Sequence, residues 1–296
     1  LYARLVEEGL IREKSGKLLG IFPTHHWPAN DPAHESSVRV RLVDALREGA
    51  DARARNRDVV QAVSAWFQLR DRLSVVDLGS GPGANLRAVA PLLPPQQTWH
   101  LVDKDEDLFT AARIALRKWA DTSELAGDTL KLTKGIAEID VHFQIADLAH
   151  DLDRVLAVKP DLVTASAFFD LVSSDFIRAL ARQVANTRSA LYATLTYNGV
   201  QRWSPHRPSD SQMAAAFNRH QMTDKGFGPA AGPTAAGLLA DQLRLEGYTV
   251  LEGESPWVLG QNDRSLLEEL QRGHALAVLE TKALDDKARE ALKAVK

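Results

Sequence analysis

Three carboxylates, each closing a short apolar run, are the side chains in this chain best placed to do chemistry. Asp77 follows Ser74-Val75-Val76, Asp103 follows Thr98 to Val102, and Asp147 follows Val141 to Ala146. Beyond Asp77 comes Leu78-Gly79-Ser80-Gly81-Pro82-Gly83 and then Ala84, where helical sequence begins. The glycines let the backbone turn sharply and approach a ligand where any Cβ would collide. A ligand held there faces a helix N-terminus, as nucleotide-type cofactors do. Read as Gly79, Gly81, Ala84, the loop also fits the G-x-G-x-x-G/A pattern of an NAD site, with Asp103 at a suitable distance. Asp77 weighs against that reading, because a carboxylate at the strand end repels a pyrophosphate and suits a cationic amino-acid group. One acid at a strand end is ordinary turn chemistry. Three in register, at strand-helix intervals, form a pattern. Asp105, Glu106 and Asp107 read instead as the acidic first turn of a helix.

The string Asp77-Leu78-Gly79-Ser80-Gly81-Pro82-Gly83 resembles motif I of the class I S-adenosylmethionine-dependent methyltransferases, and later segments extend the likeness over about residues 51 to 257. The resemblance implies a Rossmann-like α/β fold, a mostly parallel sheet with helices on both faces. It implies S-adenosylmethionine as cofactor, held by Asp77, Gly79, Ser80, Gly81 and Gly83. Asp103 would take the ribose hydroxyls, Asp147 the adenine amino group, and the backbone of Leu148 the adenine ring. Arg53, Arg55 and Arg57 precede or open a helix with an apolar face of Val59, Val63, Trp66, Phe67 and Arg70. Arg55 is assigned the bidentate grip on the methionine carboxylate of the cofactor.

Methyl transfer from a sulfonium mainly requires that a nucleophile be positioned, so residues acting on the acceptor are few and weakly patterned. Where adenine- and glutamine-methylating members carry Asn/Asp-Pro-Pro-aromatic, this chain reads Ser166-Ala167-Phe168-Phe169, which argues against those acceptors. The long connection from Tyr197 to Pro233 is rich in polar and aromatic side chains and reads as a lid. Ser166, Tyr197, Asn218 and Lys225 are the candidate acceptor contacts, and His220 is the candidate general base because imidazole titrates near neutrality. The reading is methyl transfer to a small polar molecule. The alternatives are a protein or RNA acceptor, a non-catalytic cofactor-binding module, and an NAD-dependent oxidoreductase.

The elements that must position these residues follow from the same text. Helices are expected at about 84–92, 105–120, 150–157, 174–186 and 235–246, alternating with strands, and Tyr248 to Glu252 is expected to add a sixth strand. Leu266, Leu270, Gly273 and Ala277 keep helical spacing, so the last segment is read as helix. Residues 1–50 stand apart from the 51–296 methyltransferase domain. Leu10 to Glu13 and Leu18 to Phe22 flank the turn Lys14-Ser15-Gly16-Lys17, which reads as a hairpin. Asp31 and Pro32 can open a helix with Val38, Leu42 and Leu46 on one face. The stretch Glu7 to Glu35 resembles the C-terminal part of the Golgi phosphoprotein family, whose full-length members bind phosphoinositides, and no binding residue is carried over. This N-terminal piece is either a fusion remnant or a packing appendage. The first residue, Leu1, implies an alternative start or missing upstream sequence.

Composition narrows the rest. A net charge of −3 over 296 residues gives no clear nucleic-acid signal. With no cysteine there are no disulfides, no cysteine-zinc sites and no cysteine-nucleophile chemistry. The histidines, including His25, His26, His206 and His274, show no metal-ligand spacing. No apolar run reaches the roughly 18 residues of a membrane span, and a cytoplasmic location is expected.

Overall fold

The computed structural model describes residues 14–18, 22–26 and 47–280. Strands β1 (Lys14–Leu18) and β2 (Phe22–His26) form an antiparallel hairpin pairing Lys14 with His26 and Leu18 with Phe22. The hairpin is present, but Lys14 to Lys17 are strand rather than turn, and the connection falls at 19–21, a stretch with its own glycine. The helix expected after Pro32 lies outside the described residues.

Helix α1 (47–54) leads into α2 (Arg57–Phe67), whose first turn is capped by Asn56: its Oδ1 accepts from the backbone N–H groups of Asp58 and Val59. Val59, Val60 and Val63 pack toward the core around the buried Phe67. Trp66 departs from the expected apolar face and is 75% exposed.

The main sheet contains β3 (Arg72–Leu78), β4 (Gln96–Asp103), β5 (Thr122–Ala126), β6 (Thr129–Lys134), β7 (Ala137–Ile145), β8 (Leu162–Ser166) and β9 (Ala190–Thr194). Its spatial order is β5-β6-β7-β4-β3-β8-β9. The five strands from β7 to β9 in that order are parallel, while β5 and β6 run antiparallel beside β7. Helices α3 (Ala84–Val89), α4 (Glu106–Trp119), α5 (Leu148–Leu156), α6 (Ser174–Thr187) and α8 (Ala235–Leu245) fall within a residue or two of their expected spans at most boundaries. A 3₁₀ turn, Ala90–Leu92, completes the first of them. The parallel strands are apolar on both faces because helices cover both. Val75, Trp99, Leu101 and Val141 pack with α2, α3 and α4, and Val76, Val102, Val163 and Ala165 pack with α5, α6 and α8. The strand order reverses between β3, β4 and β8, so the carboxyl ends of these strands open the crevice where ligands bind in such sheets.

Two departures from the sequence reading are physical. The β5–β6 hairpin was signalled by Gly127-Asp128 between two alternating runs and by Gly135 before β7, a hairpin pattern that the helix-strand alternation had overshadowed. Tyr248 to Glu252 is not a strand. The Tyr248 hydroxyl lies 3.0 Å from the Val184 carbonyl and 2.8 Å from that of Ser189, pinning this end beside α6 and β9. The chain beyond is drawn across to the N-terminal helices, where Asn56 Nδ2 donates to the Glu254 carbonyl, Trp257 Nε1 donates to Asp51 Oδ1, and Arg53 pairs with Asp263. The last segment is helical as expected, α9 (Arg264–Glu280), and it packs on α7 (Asp210–Gln221) through Ala216, Phe217, Ala277 and Val278.

Trp99 is the largest fully buried side chain, and its indole N–H donates to Gln97 Oε1 at 2.7 Å. Trp99→Ala should lower the unfolding free energy by about 3–5 kcal/mol, read as a lower midpoint in a urea titration followed by circular dichroism.

Candidate active site

The site is built where β3 ends. Asp77 is fully buried, and its Oδ1 accepts from Asn85 Nδ2 at 2.8 Å. The same amide nitrogen reaches Thr164 Oγ1 of β8 at 3.0 Å, and Thr164 donates to the Tyr192 carbonyl of β9. This chain of bonds ties α3 to three adjacent strands. Asp77 Oδ2, Ser80 Oγ and Asn85 Oδ1 are buried with no partner among the described residues. Unpartnered buried acceptors of this kind cost free energy unless a ligand satisfies them. Burial raises the Asp77 carboxyl to about 7, against the lowering effects of the Asn85 bond and the nearby Arg55 guanidinium.

The glycine loop adopts the left-handed conformations that only glycine takes easily. Gly79 has φ 61°, and a Cβ there would stand 2.7 Å from Phe168 Cδ2, so this glycine is required by the loop after β8. Gly81 has φ 51°, and a Cβ would meet nothing within 4 Å. Its side faces open space, as a cofactor path requires. Asp103 Oδ2 accepts from the Gly81 N–H at 3.0 Å and Oδ1 from the Asp105 N–H at 3.2 Å, while burial raises its pKa. Gly83 caps α3 in the same left-handed region. Asp147 is exposed and caps α5, its Oδ1 accepting from the Ala149 N–H, while Leu148 opens that helix with its side chain buried.

Arg55 approaches from above. Its Nη1 lies 3.4 Å from the Tyr192 hydroxyl, and its buried Nε has no partner among the described residues. A cavity of about 170 Å³ lies between α1 and α3, lined by Glu48, Asp51, Arg55, Ala84, Arg87 and Ser166. The structure thus brings Arg55 and Ser166 to one cavity, and the Arg55 guanidinium acts on the buried Asp77. The boundary expected at residues 50 and 51 falls within α1, and Glu48 pairs with the buried Arg87 across this cavity.

The remaining acceptor candidates lie in the connection from Tyr197 to Pro233 and bond mostly to one another. Tyr197 donates to Asn218 Oδ1 at 2.6 Å, Asn218 Nδ2 donates to the Gly199 carbonyl, and Lys225 Nζ reaches the His220 carbonyl and Thr223 Oγ1. Burial pushes the Tyr197 hydroxyl up to about 12. His220 is buried in the α7–α9 contact with Nε2 3.2 Å from Glu280 Oε2, a partner no spacing rule links to it. The connection docks on the core through Phe227, which meets Phe168 and Phe176 edge to face. Sequence reasoning missed Asn85, Thr164, Tyr192 and Phe168. The signal available was two polar residues, Asn85 and Thr164, at positions that helix and strand periodicity assign to the interior. Among the described residues no group of acids and histidines is arranged to hold a metal ion.

Residues 1–77 match the family model described as Golgi phosphoprotein 3 (GPP34), a span that includes α1, α2 and most of β3. No curated protein sequence matches the chain. Among solved structures, a cyclopropane-fatty-acyl-phospholipid synthase-like protein from Lactobacillus casei superposes with a TM-score of 0.50 at 14% identity, over 88% of this chain and 93% of that one. A cyclopropane synthase from Mycobacterium tuberculosis gives 0.43 at 11% identity, over 79% and 73%. The magnesium protoporphyrin IX methyltransferase of Synechocystis with bound S-adenosylhomocysteine gives 0.39 at 16%, over 74% and 78%. The first of these shows the fold: the chain has the Rossmann-like methyltransferase fold. No described helix is long and apolar enough to cross a membrane.

The raised Asp77 carboxyl sets a direction for stability against pH. Its contribution is fully present below the ordinary carboxylate value of 3.8 and is lost as pH rises through about 7. At 1.36 kcal/mol for each pH unit the loss is at most about 4 kcal/mol. Asp77→Asn should therefore be more stable than the wild type at pH 8 and differ little at pH 4. Urea titrations across that range check it, and parallel profiles for the two proteins would refute the assignment to Asp77.

Proposed function

We propose that this chain transfers a methyl group from S-adenosylmethionine to a small polar molecule, with residues 51–296 as the methyltransferase domain. The observation that carries the reading is a pair of opposite charges close enough to act on one another. Among the described residues, Asp77 is buried with one oxygen unpartnered, and Arg55, whose guanidinium lowers the Asp77 carboxyl pKa, lines the cavity with a buried Nε unpartnered. An amino-acid zwitterion satisfies both, its ammonium at Asp77 and its carboxylate at Arg55. A pyrophosphate would not, because it would stand against the Asp77 carboxylate.

Asp103 would accept from the ribose hydroxyls, Asp147 and the backbone of Leu148 would meet the adenine, and the open side of Gly81 leaves room for the nucleoside between them. Bound there, the cofactor supplies an electrophilic methyl group on sulfur. The chain's own work is to orient and to exclude water. Ser166 lines the cavity and is the acceptor contact closest to this machinery by its place at the end of β8. Tyr197, Asn218 and Lys225 hold the lid together through their own hydrogen bonds. With its imidazole engaged by Glu280, His220 serves to fasten α7 to α9, and the reaction uses an acceptor that is already nucleophilic.

S-adenosylhomocysteine should raise the melting temperature, since a ligand selective for the native state stabilises it by mass action, and NAD should leave it unchanged. The reverse ranking in thermal scans would overturn the reading. Asp103→Ala should weaken S-adenosylhomocysteine binding at least about tenfold, because charged hydrogen bonds contribute roughly 1.5–3 kcal/mol each. Calorimetry measures this, and affinity within twofold of wild type in a folded variant would return Asp103 to turn structure.

A further inference from the structure

A second cavity, of about 220 Å³, adjoins the first between α2 and α3 and has a different character. The two share Ala52, Arg55 and Ala88. The second is walled by apolar side chains, among them Val60, Val63 and Leu92. Arg55, Arg57 and the Tyr192 hydroxyl are its polar members. Arg57 is exposed at the start of α2, and Arg55 keeps its buried Nε unpartnered. An apolar chamber with two guanidinium groups and a phenol suits a molecule with an apolar body and one negative end. Its volume lies below the roughly 300–1,000 Å³ of sites that take drug-sized ligands, which limits that body to a ring with a short chain.

We propose that this chamber binds a small apolar carboxylate of the arylalkanoate kind, its ring among Val60, Val63 and Leu92 and its carboxylate toward Arg55 and Arg57. Because Arg55 borders both cavities, the carboxylate end lies next to the space assigned to the cofactor. The ligand is then the methyl acceptor, a step that rests on the reading given under Proposed function: a carboxylate oxygen bonds the methyl carbon as that carbon's bond to the sulfonium sulfur breaks, giving a methyl ester and S-adenosylhomocysteine. This places the acceptor under the α1–α2 roof, not within the connection from Tyr197 to Pro233.

The test uses the full chain and calorimetry with 3-phenylpropionate, its neutral amide, and S-adenosylhomocysteine. The acid should bind, and the amide should bind at least tenfold more weakly. Val63→Trp fills the chamber and should lose the acid at least tenfold while keeping S-adenosylhomocysteine affinity within twofold. If that variant does not fold, Arg57→Gln decides, since an exposed side chain is replaced: it should weaken the acid severalfold and leave the amide unchanged. Equal binding of acid and amide, no binding of either, or unchanged acid affinity in the decisive variant would overturn the proposal. The two readings fail separately. Binding of S-adenosylhomocysteine without the acid removes the chamber and keeps the cofactor site; binding of the acid without S-adenosylhomocysteine does the opposite.

Discussion

Asp77 is a carboxylate held entirely out of water with half its hydrogen-bonding capacity unmet, and the surrounding structure is arranged to tolerate this. A buried charge without a partner is among the most costly features a fold can contain. The cost is reduced from three directions. Asn85 donates from α3, Arg55 approaches from the N-terminal layer, and the carboxyl shifts to about 7 so that near-neutral solutions hold a substantial protonated fraction. The bonds that steady Asn85 continue through Thr164 to the Tyr192 carbonyl, so the relative positions of β3, β8 and β9 are set by the same contacts that set the acid. Replacing this network with apolar side chains would relieve the burial cost and remove the bonds that tie α3 to β3, β8 and β9.

The roof over this acid comes from both ends of the described chain. Helix α1 supplies Glu48 and Asp51, the link to α2 supplies Arg55, and the segment after α8 crosses back to these N-terminal elements through Glu254, Trp257 and Asp263. The residues that would have extended the sheet are used in this way, which leaves β9 as its edge. The match to the Golgi phosphoprotein family model runs through the same helices and into β3, so its sequence likeness and the roof overlap over 47–77. Glu48 and Asp51, on either side of the boundary expected at residue 50, both lie on α1 and line one cavity.

Much of the fold was legible because local rules and tertiary packing agree over the sheet-helix repeats. The runs ending in Asp77 and Asp103 are strands because two-sided burial demands near-continuous apolar sequence, and Asp105 and Ser173 cap helices with side chains that reach only their own first turn. The positions of Asp77 and Asp103 were legible for the same reason, since a strand end, a glycine loop and a helix start fix one another within a few residues. Where local signals competed the reading slipped. Lys14 to Lys17 read locally as a turn, and the pairing of Lys14 with His26 makes them strand instead.

The sequence by itself determined the strand-helix alternation, the position of the glycine loop and the three strand-end acids, because each depends on interactions between residues close in the chain. Only the tertiary structure decided which of these groups are buried without partners among the described residues, that Asn85 bonds Asp77 across 8 residues and Thr164 across 79, and that His220 is engaged by Glu280. It also decided that Arg55 borders two adjoining cavities with different lining residues. Desolvation, cavity shape and long-range bonding are properties of what packs around a residue, and no local pattern encodes the identity of those neighbours.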